Sequence, residues 1–136
     1  DPDLRDRFEA AAAEVVPHVT TMAYVSAEAA FTHGEPWRLA LLEYLQENLE
    51  LLTVELNQVD GLKVERCDVT YLAWIDATAL ELQNTQEYFE EYGIGMSSGG
   101  QVGQPGFLRL NFACPRETLQ EGIRRIKLGI AALKHR

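Results

Sequence analysis

The sequence predicts an α+β fold: a mainly antiparallel three- to four-stranded sheet, covered by helices on one face and preceded by a long linking helix. Three observations carry this reading. Apolar residues recur at helical spacing through the first 58 residues. After Asp60-Gly61 the period changes to strict alternation. A second alternating run, Phe107 to Ala113, then leads into one last helical stripe. The order helices, β-β, α, β, β, α places helices together on one side of an antiparallel sheet.

Leu4, Phe8, Ala11, Ala12 and Val15 share a helix face after Pro2, a residue suited to a first turn, and Pro17 is the expected stop. Residues 20–32, with Met22, Val25, Ala29 and Ala30, read as a second helix. His33-Gly34-Glu35-Pro36 ends it and starts the next. Over residues 36–58, Trp37, Leu41, Leu45, Leu49, Leu52 and Leu56 form an apolar stripe. Glu43, Glu47, Glu50 and Glu55 lie off it, without the charge pairing of a coiled coil, so the helix packs along a core. Leu62 to Cys67, centred on Val64, and Thr70 to Ala77 read as an antiparallel pair of strands. In the second, Tyr71, Ala73 and Ile75 face one way, and Leu72, Trp74 and Asp76 the other. Asn84-Thr85-Gln86-Glu87 has capping-box spacing and predicts a helix to about Tyr92, closed by Gly93. Ile94 to Ser97 is a short edge strand, Ser98 to Gly106 a glycine-rich loop, and Phe107 to Ala113 the third clear strand. Pro115 opens a helix striped by Leu119, Ile123, Ile126, Ile130 and Leu133.

A length of 136 residues with 46% hydrophobic and 24% charged residues suits one compact domain and argues against disorder. The net charge of −9 argues against nucleic acid and anionic membranes as partners. Arg124-Arg125-Ile126-Lys127, the one dense basic stretch, reads as a solvated helix face. No apolar run reaches the roughly 18–20 residues that span a bilayer, and no signal peptide is evident. The opening Asp1-Pro2-Asp3, without methionine, suggests a piece of a longer protein. Cys67 and Cys114 do not make a disulfide framework, and the 3 histidines are too scattered to hold a metal. A reduced, cytoplasmic protein is expected.

Candidate chemistry concentrates in Phe107-Leu108-Arg109-Leu110-Asn111-Phe112-Ala113. Alternation turns Leu108, Leu110 and Phe112 toward the helices, and Phe107, Arg109, Asn111 and Ala113 away from them. A mid-strand arginine is unusual without a partner. Its planar guanidinium suits a carboxylate held by two parallel hydrogen bonds. A structural ion pair, or an arginine lying on an exposed sheet face, accounts for it equally simply, and pattern alone favours these. The loop Ser97 to Gly106 lacks the Gly-Lys-Ser/Thr ending of a phosphate-binding loop and reads as a flexible turn. Cys67 and Cys114 have no histidine nearby and read as small core residues. Glu90, Glu91 and Asp76 are carboxylates of a solvated helix face and a strand end, and Trp37, Trp74 and Phe89 read as core.

Thr70-Tyr71-Leu72-Ala73-Trp74-Ile75-Asp76 and Phe107-Leu108-Arg109-Leu110-Asn111-Phe112-Ala113-Cys114-Pro115-Arg116 together resemble fold-type I pyridoxal-phosphate (PLP) enzymes. The similarity is to the cystathionine β-lyase (C–S lyase) branch of the class I/II aminotransferases, including the maltose-regulon modulator type. Gly34-Glu35-Pro36-Trp37 and Tyr44-Leu45-Gln46-Glu47-Asn48 look like that branch's linking helix, and Asp1 to Arg5 like the stretch soon after its cofactor-binding lysine. The resemblance implies a helical segment, residues 1–35, from the large-domain or interface side, and a C-terminal small domain over 36–136. It implies that Arg109 binds the α-carboxylate of an amino-acid substrate. Ser98-Gly99-Gly100 resembles the loop near the active-site entrance, but Val102-Gly103 departs from the branch's phenylalanine and glycine.

The resemblance also implies a homodimeric parent using PLP, in which β-elimination or amino transfer follows deprotonation at the α-carbon. The cofactor's lysine, the aspartate beside its pyridine nitrogen and its phosphate groups would belong to a large domain preceding Asp1. Lys63, Lys127 and Lys134 do not match that lysine. No catalytic residue, bound cofactor, metal or turnover is therefore expected of this chain by itself. The alternative is a free-standing, non-enzymatic α+β binding or oligomerisation module in which Arg109 is structural.

Overall fold

A computed structural model describes residues 1–13, 15–16 and 19–134. They form five α-helices and one four-stranded sheet. The expected stop at Pro17 lies outside the described residues. The chain divides into two compact units, Asp1–Ala40 and Leu41–Arg136.

In the first unit, α1 (Pro2–Ala12) is capped by Asp1, whose side chain accepts from the N–H groups of Asp3 and Leu4. Thr20 caps α2 (Thr21–His33) in the same way, through Ala23. Each such cap contributes about 1 kcal/mol. Val15, expected in the first helix, lies past its end. Neither helix buries a side chain: Leu4, Phe8, Met22, Tyr24 and Phe31 are all exposed. The Gly34 N–H donates to the Ala30 carbonyl, and α3 (Glu35–Asn57) starts at the next residue. Trp37, expected in the core, is 70% exposed. The buried part of the α3 stripe is confined to Leu49, Leu52 and Leu56, together with Asn48.

In the second unit the sheet order is β1-β2-β4-β3, antiparallel throughout. The strands are shorter than alternation suggests, for local reasons. β1 is only Lys63–Val64. β2 is Leu72–Asp76 because Thr70 has φ 68°, a left-handed conformation that a β-branched residue rarely adopts and that breaks the extended run. β4 is Phe107–Asn111 because the Asn111 side chain accepts from the Ala113 N–H and turns the chain. β3 is Ser97–Ser98, an edge strand lying slightly beyond the expected one.

Asn84 caps α4 (Thr85–Glu90) through the Glu87 N–H, as its spacing predicts. The helix closes on Gly93 at φ 72°, and the Ile94 N–H returns to the Phe89 carbonyl. The helices α3, α4 and α5 (Arg116–Leu133) supply Leu52, Leu56, Phe89, Ile123, Ile126 and Ile130 to a core completed by Val64, Ala73, Ile75 and Leu108 of the sheet and by Phe112 just after β4. Fully burying a side chain of this size is worth roughly 1.5–3 kcal/mol. Phe89 meets the expectation of a core residue, with no exposed surface. Of the cysteines, Cys114 packs against the core, whereas Cys67 sits half-buried in the β1–β2 loop, its thiol donating to the Val69 carbonyl.

The basic stretch of α5 is neutralised locally. Arg124 and Arg125 both bind Glu121, and Lys127 binds Glu55 of α3. The two guanidinium groups lower the Glu121 carboxyl from its ordinary 4.5 to about 2. A carboxylate depressed on folding stabilises the native state above its ordinary range, and that contribution is lost as pH falls from 4.5 through about 2. Glu121→Gln should therefore flatten the fall in stability on acidification. Denaturation midpoints of the protein and the variant at about pH 5 and about pH 2.5 check this; equal falls would reject it.

Candidate functional site

Within the second unit, α3, α4 and α5 pack on one face of the sheet and leave the other open. Register places Trp74 and Ser97 directly opposite Arg109, one on each side. Phe107 and Asn111 flank Arg109 along β4 on the same face, because strand side chains alternate. Leu108 is buried and Arg109 exposed, so the two faces of β4 are those the alternation predicts.

Arg109 is distinguished by its partners. Arg66, Arg116, Arg124 and Arg125 each pair with a carboxylate at 2.7–3.5 Å. Among the described residues of the second unit, Arg109 alone of the arginines has no such partner. Its Nη2 donates to the Ser97 Oγ at 3.3 Å, and the other N–H groups of the fork have no protein acceptor among the described residues. A guanidinium carries five donors, so most of its capacity faces solvent.

Beside it, the Trp74 ring stacks on Phe107 with centroids 5.7 Å apart and planes 20° apart. Trp74, expected in the core, thus belongs to the open face, half-buried by an aromatic neighbour on that same face. A cleft of about 300 Å³ adjoins the stack, lined by Lys63, Glu65, Asp76 and Gln104 as well as the two rings. Asp76 accepts from both the hydroxyl and the N–H of Thr78, bonds that lower its pKa together with a smaller contribution from Lys63. Both bonds favour its ionised form. Glu90 and Glu91 are exposed on and just after α4, and Glu90 accepts from Gln86.

A second cleft, of about 520 Å³, lies elsewhere, between the start of α5 and the Gly93–Gly95 turn. It contains Cys114, whose thiol is pushed up by burial, so the thiolate that nucleophilic catalysis needs is disfavoured there. Among the described residues no cluster of side chains could hold a metal.

The open face is held in place by a buried polar hub. Asn48 of α3 has no exposed surface. Its Nδ2 donates to the carbonyls of Phe112 and Cys114 at 3.0 and 3.1 Å, and its Oδ1 accepts from the Arg116 Nε at 2.6 Å. Arg116 also pairs with Glu47 at 2.7 Å and lies 5.5 Å from the Tyr44 ring centroid. The hub clamps the reversal that follows β4 and so fixes the strand carrying Arg109. Residue patterns did not assign Asn48 a role. The available signal was its spacing: it lies three residues after Leu45 and four before Leu52, a polar residue on the apolar side of α3.

Residues 6–126 match the model of the family "Aminotransferase class I and II". The chain belongs to that family. It is 36% identical over 113 residues to the cystathionine beta-lyase of Corynebacterium glutamicum, a match covering 79% of this chain and 30% of that enzyme. Its fold superposes on the crystal structure of OvoB with a TM-score of 0.91 at 38% identity, over 96% of this chain and 35% of that one. Cystalysin from Treponema denticola, whose structure contains pyridoxal 5'-phosphate, gives 0.87 at 25% identity over 98% and 36%. The chain thus spans about a third of the length of these relatives.

Its three lysines do not fit the imine-forming role that cofactor requires. An imine-forming lysine must lose its proton, which burial or a neighbouring cation promotes. Here Lys63 pairs with Glu65, Lys127 with Glu55 and Lys134 with Asp60. Lys63 and Lys134 are largely exposed, and the carboxylate beside Lys63 raises its pKa. No step of cofactor chemistry can be assigned to these side chains.

Proposed function

We propose that this chain is the small domain of a longer PLP-dependent enzyme, an aminotransferase or C–S β-lyase, in which it binds the carboxylate of an amino-acid substrate and closes the active site. The observation that carries this reading is Arg109: an exposed guanidinium on the uncovered sheet face, with no carboxylate partner of its own among the described residues. Two adjacent N–H groups of its fork match the two oxygens of a carboxylate. The rest of the enzyme supplies PLP and its lysine, and the domain alone is inactive. Leu4, Phe8, Met22 and Phe31, exposed on α1 and α2, then meet the large domain or the second subunit of a homodimer. Family membership over residues 6–126 favours this reading over a free-standing module.

The test is the reaction of the full-length protein, loaded with PLP, on L-cystathionine and on pairs of amino and keto acids. Release of thiol, pyruvate and ammonia identifies a β-lyase; exchange of the amino group identifies an aminotransferase. Neither reaction across a panel of amino acids would overturn the proposal.

A further inference from the structure

We infer that Ser97 is a positioning residue for Arg109: its hydroxyl holds one N–H of the guanidinium so that the remaining edge of the fork is presented to the substrate carboxylate. This inference rests on the carboxylate-binding role proposed for Arg109.

Three features of the fold carry it. First, Ser97 is the residue directly opposite Arg109 across the β3–β4 ladder, so both side chains leave the sheet on the same face. Second, the Arg109 Nη2 donates to the Ser97 Oγ at 3.3 Å, and neither group has another protein partner among the described residues. A hydroxyl offers two acceptor lone pairs and one donor. Ser97 can therefore accept from the guanidinium without competing for it as a carboxylate would. The net charge of Arg109 stays uncompensated and available.

Third, the backbone under Ser97 is fixed on both sides. Toward β4 it is paired to Arg109. Beyond it, the Ser98 hydroxyl accepts from the Gly100 N–H and starts a tight 3-10 turn, Gly99–Val102. That turn is seated on β4: a Cβ at Gly99 would lie 2.4 Å from the Gln104 carbonyl oxygen and 2.9 Å from that of Phe107, so only glycine fits. The Ser97 hydroxyl is thus a stationary acceptor beside a long side chain that otherwise samples many rotamers. Fixing that side chain before the ligand arrives removes part of the ordering cost of binding. On the other side of Arg109 stands Trp74, braced against Phe107, which offers no acceptor toward the guanidinium. Orientation of the fork therefore falls to Ser97.

The experiment uses the full-length, PLP-loaded protein and compares Ser97→Ala, Ser97→Thr, Arg109→Ala and the double variant Ser97→Ala/Arg109→Ala. Each is titrated with L-alanine and with ethylamine, the same amine without the carboxylate, and followed by calorimetry and by the change in cofactor absorbance. Ser97→Ala is expected to weaken L-alanine binding about three- to tenfold, the net worth of one ordinary hydrogen bond, since this one is long and exposed. Ethylamine binding should not change, Ser97→Thr should restore L-alanine binding, and Ser97→Ala should add nothing in the Arg109→Ala background. Equal L-alanine affinity for the protein and Ser97→Ala, with Arg109→Ala still defective, would overturn the positioning role and leave the carboxylate role standing. Equal weakening toward ethylamine would also overturn it, because the loss would then be general. An Arg109→Ala variant that binds L-alanine normally would overturn the carboxylate reading and this inference together.

Discussion

Arg109→Ala in the full-length, PLP-loaded protein should weaken amino-acid binding by about 2–4 kcal/mol, roughly 30- to 1000-fold. The size follows from losing a pair of charge-assisted hydrogen bonds, each stronger than a neutral one. Bound PLP should be retained, since the proposed role of Arg109 is toward the substrate carboxylate and not toward the cofactor. Stability should change by less than about 0.5 kcal/mol, because Arg109 is exposed and joins no ion pair among the described residues. Arg109→Lys keeps the charge but not the planar fork, and should recover only part of the loss. Equilibrium titration with L-alanine, alongside denaturation of each variant, separates these effects. Unchanged binding in Arg109→Ala would return Arg109 to the role of a solvent-facing strand residue.

The second large effect is on stability. Asn48→Leu should destabilise the protein by about 2–4 kcal/mol. The leucine matches its apolar neighbours but leaves the Phe112 carbonyl without its side-chain donor and the Arg116 Nε without its acceptor. The Cys114 carbonyl keeps only the longer bond from the Tyr44 hydroxyl, at 3.4 Å. Unmade hydrogen bonds of buried groups carry the full cost of desolvation, which gained apolar contact does not offset. Asn48→Asp should be worse, because it sets a carboxylate against two carbonyl oxygens. Chemical denaturation measures both; a loss below about 0.5 kcal/mol for Asn48→Leu would show that the hub is replaceable by packing.

Much of this architecture is readable along the chain. The alternation of Leu108, Leu110 and Phe112 against Phe107, Arg109 and Asn111 correctly divides β4 between core and open face. The stripe Leu119, Ile123, Ile126 and Ile130 is the buried side of α5. Both are local geometries, set by the two-residue period of a strand and the 3.6-residue period of a helix. Element ends were less legible, since they depend on single conformations. Thr70 at positive φ shortens β2, and the Asn111 side chain stops β4. The tryptophans misled because size and apolarity predict burial without saying what is near enough to provide it. Trp74 lies on the sheet face opposite α3, α4 and α5, and Trp37 is exposed.

Sequence periodicity by itself thus determined which residues face the helices, and left Arg109 on the other side. Motif resemblance pointed to the family. What Arg109 meets there was decided only by tertiary structure. The strand order β1-β2-β4-β3 sets Trp74 on one side of it and Ser97 on the other. Asn48 reaches the end of the same strand across a separation of 64 residues. Local periodicity carries no record of such distances. Pairing register and helix packing set them, because only one alignment buries both apolar faces while giving the backbone polar groups partners.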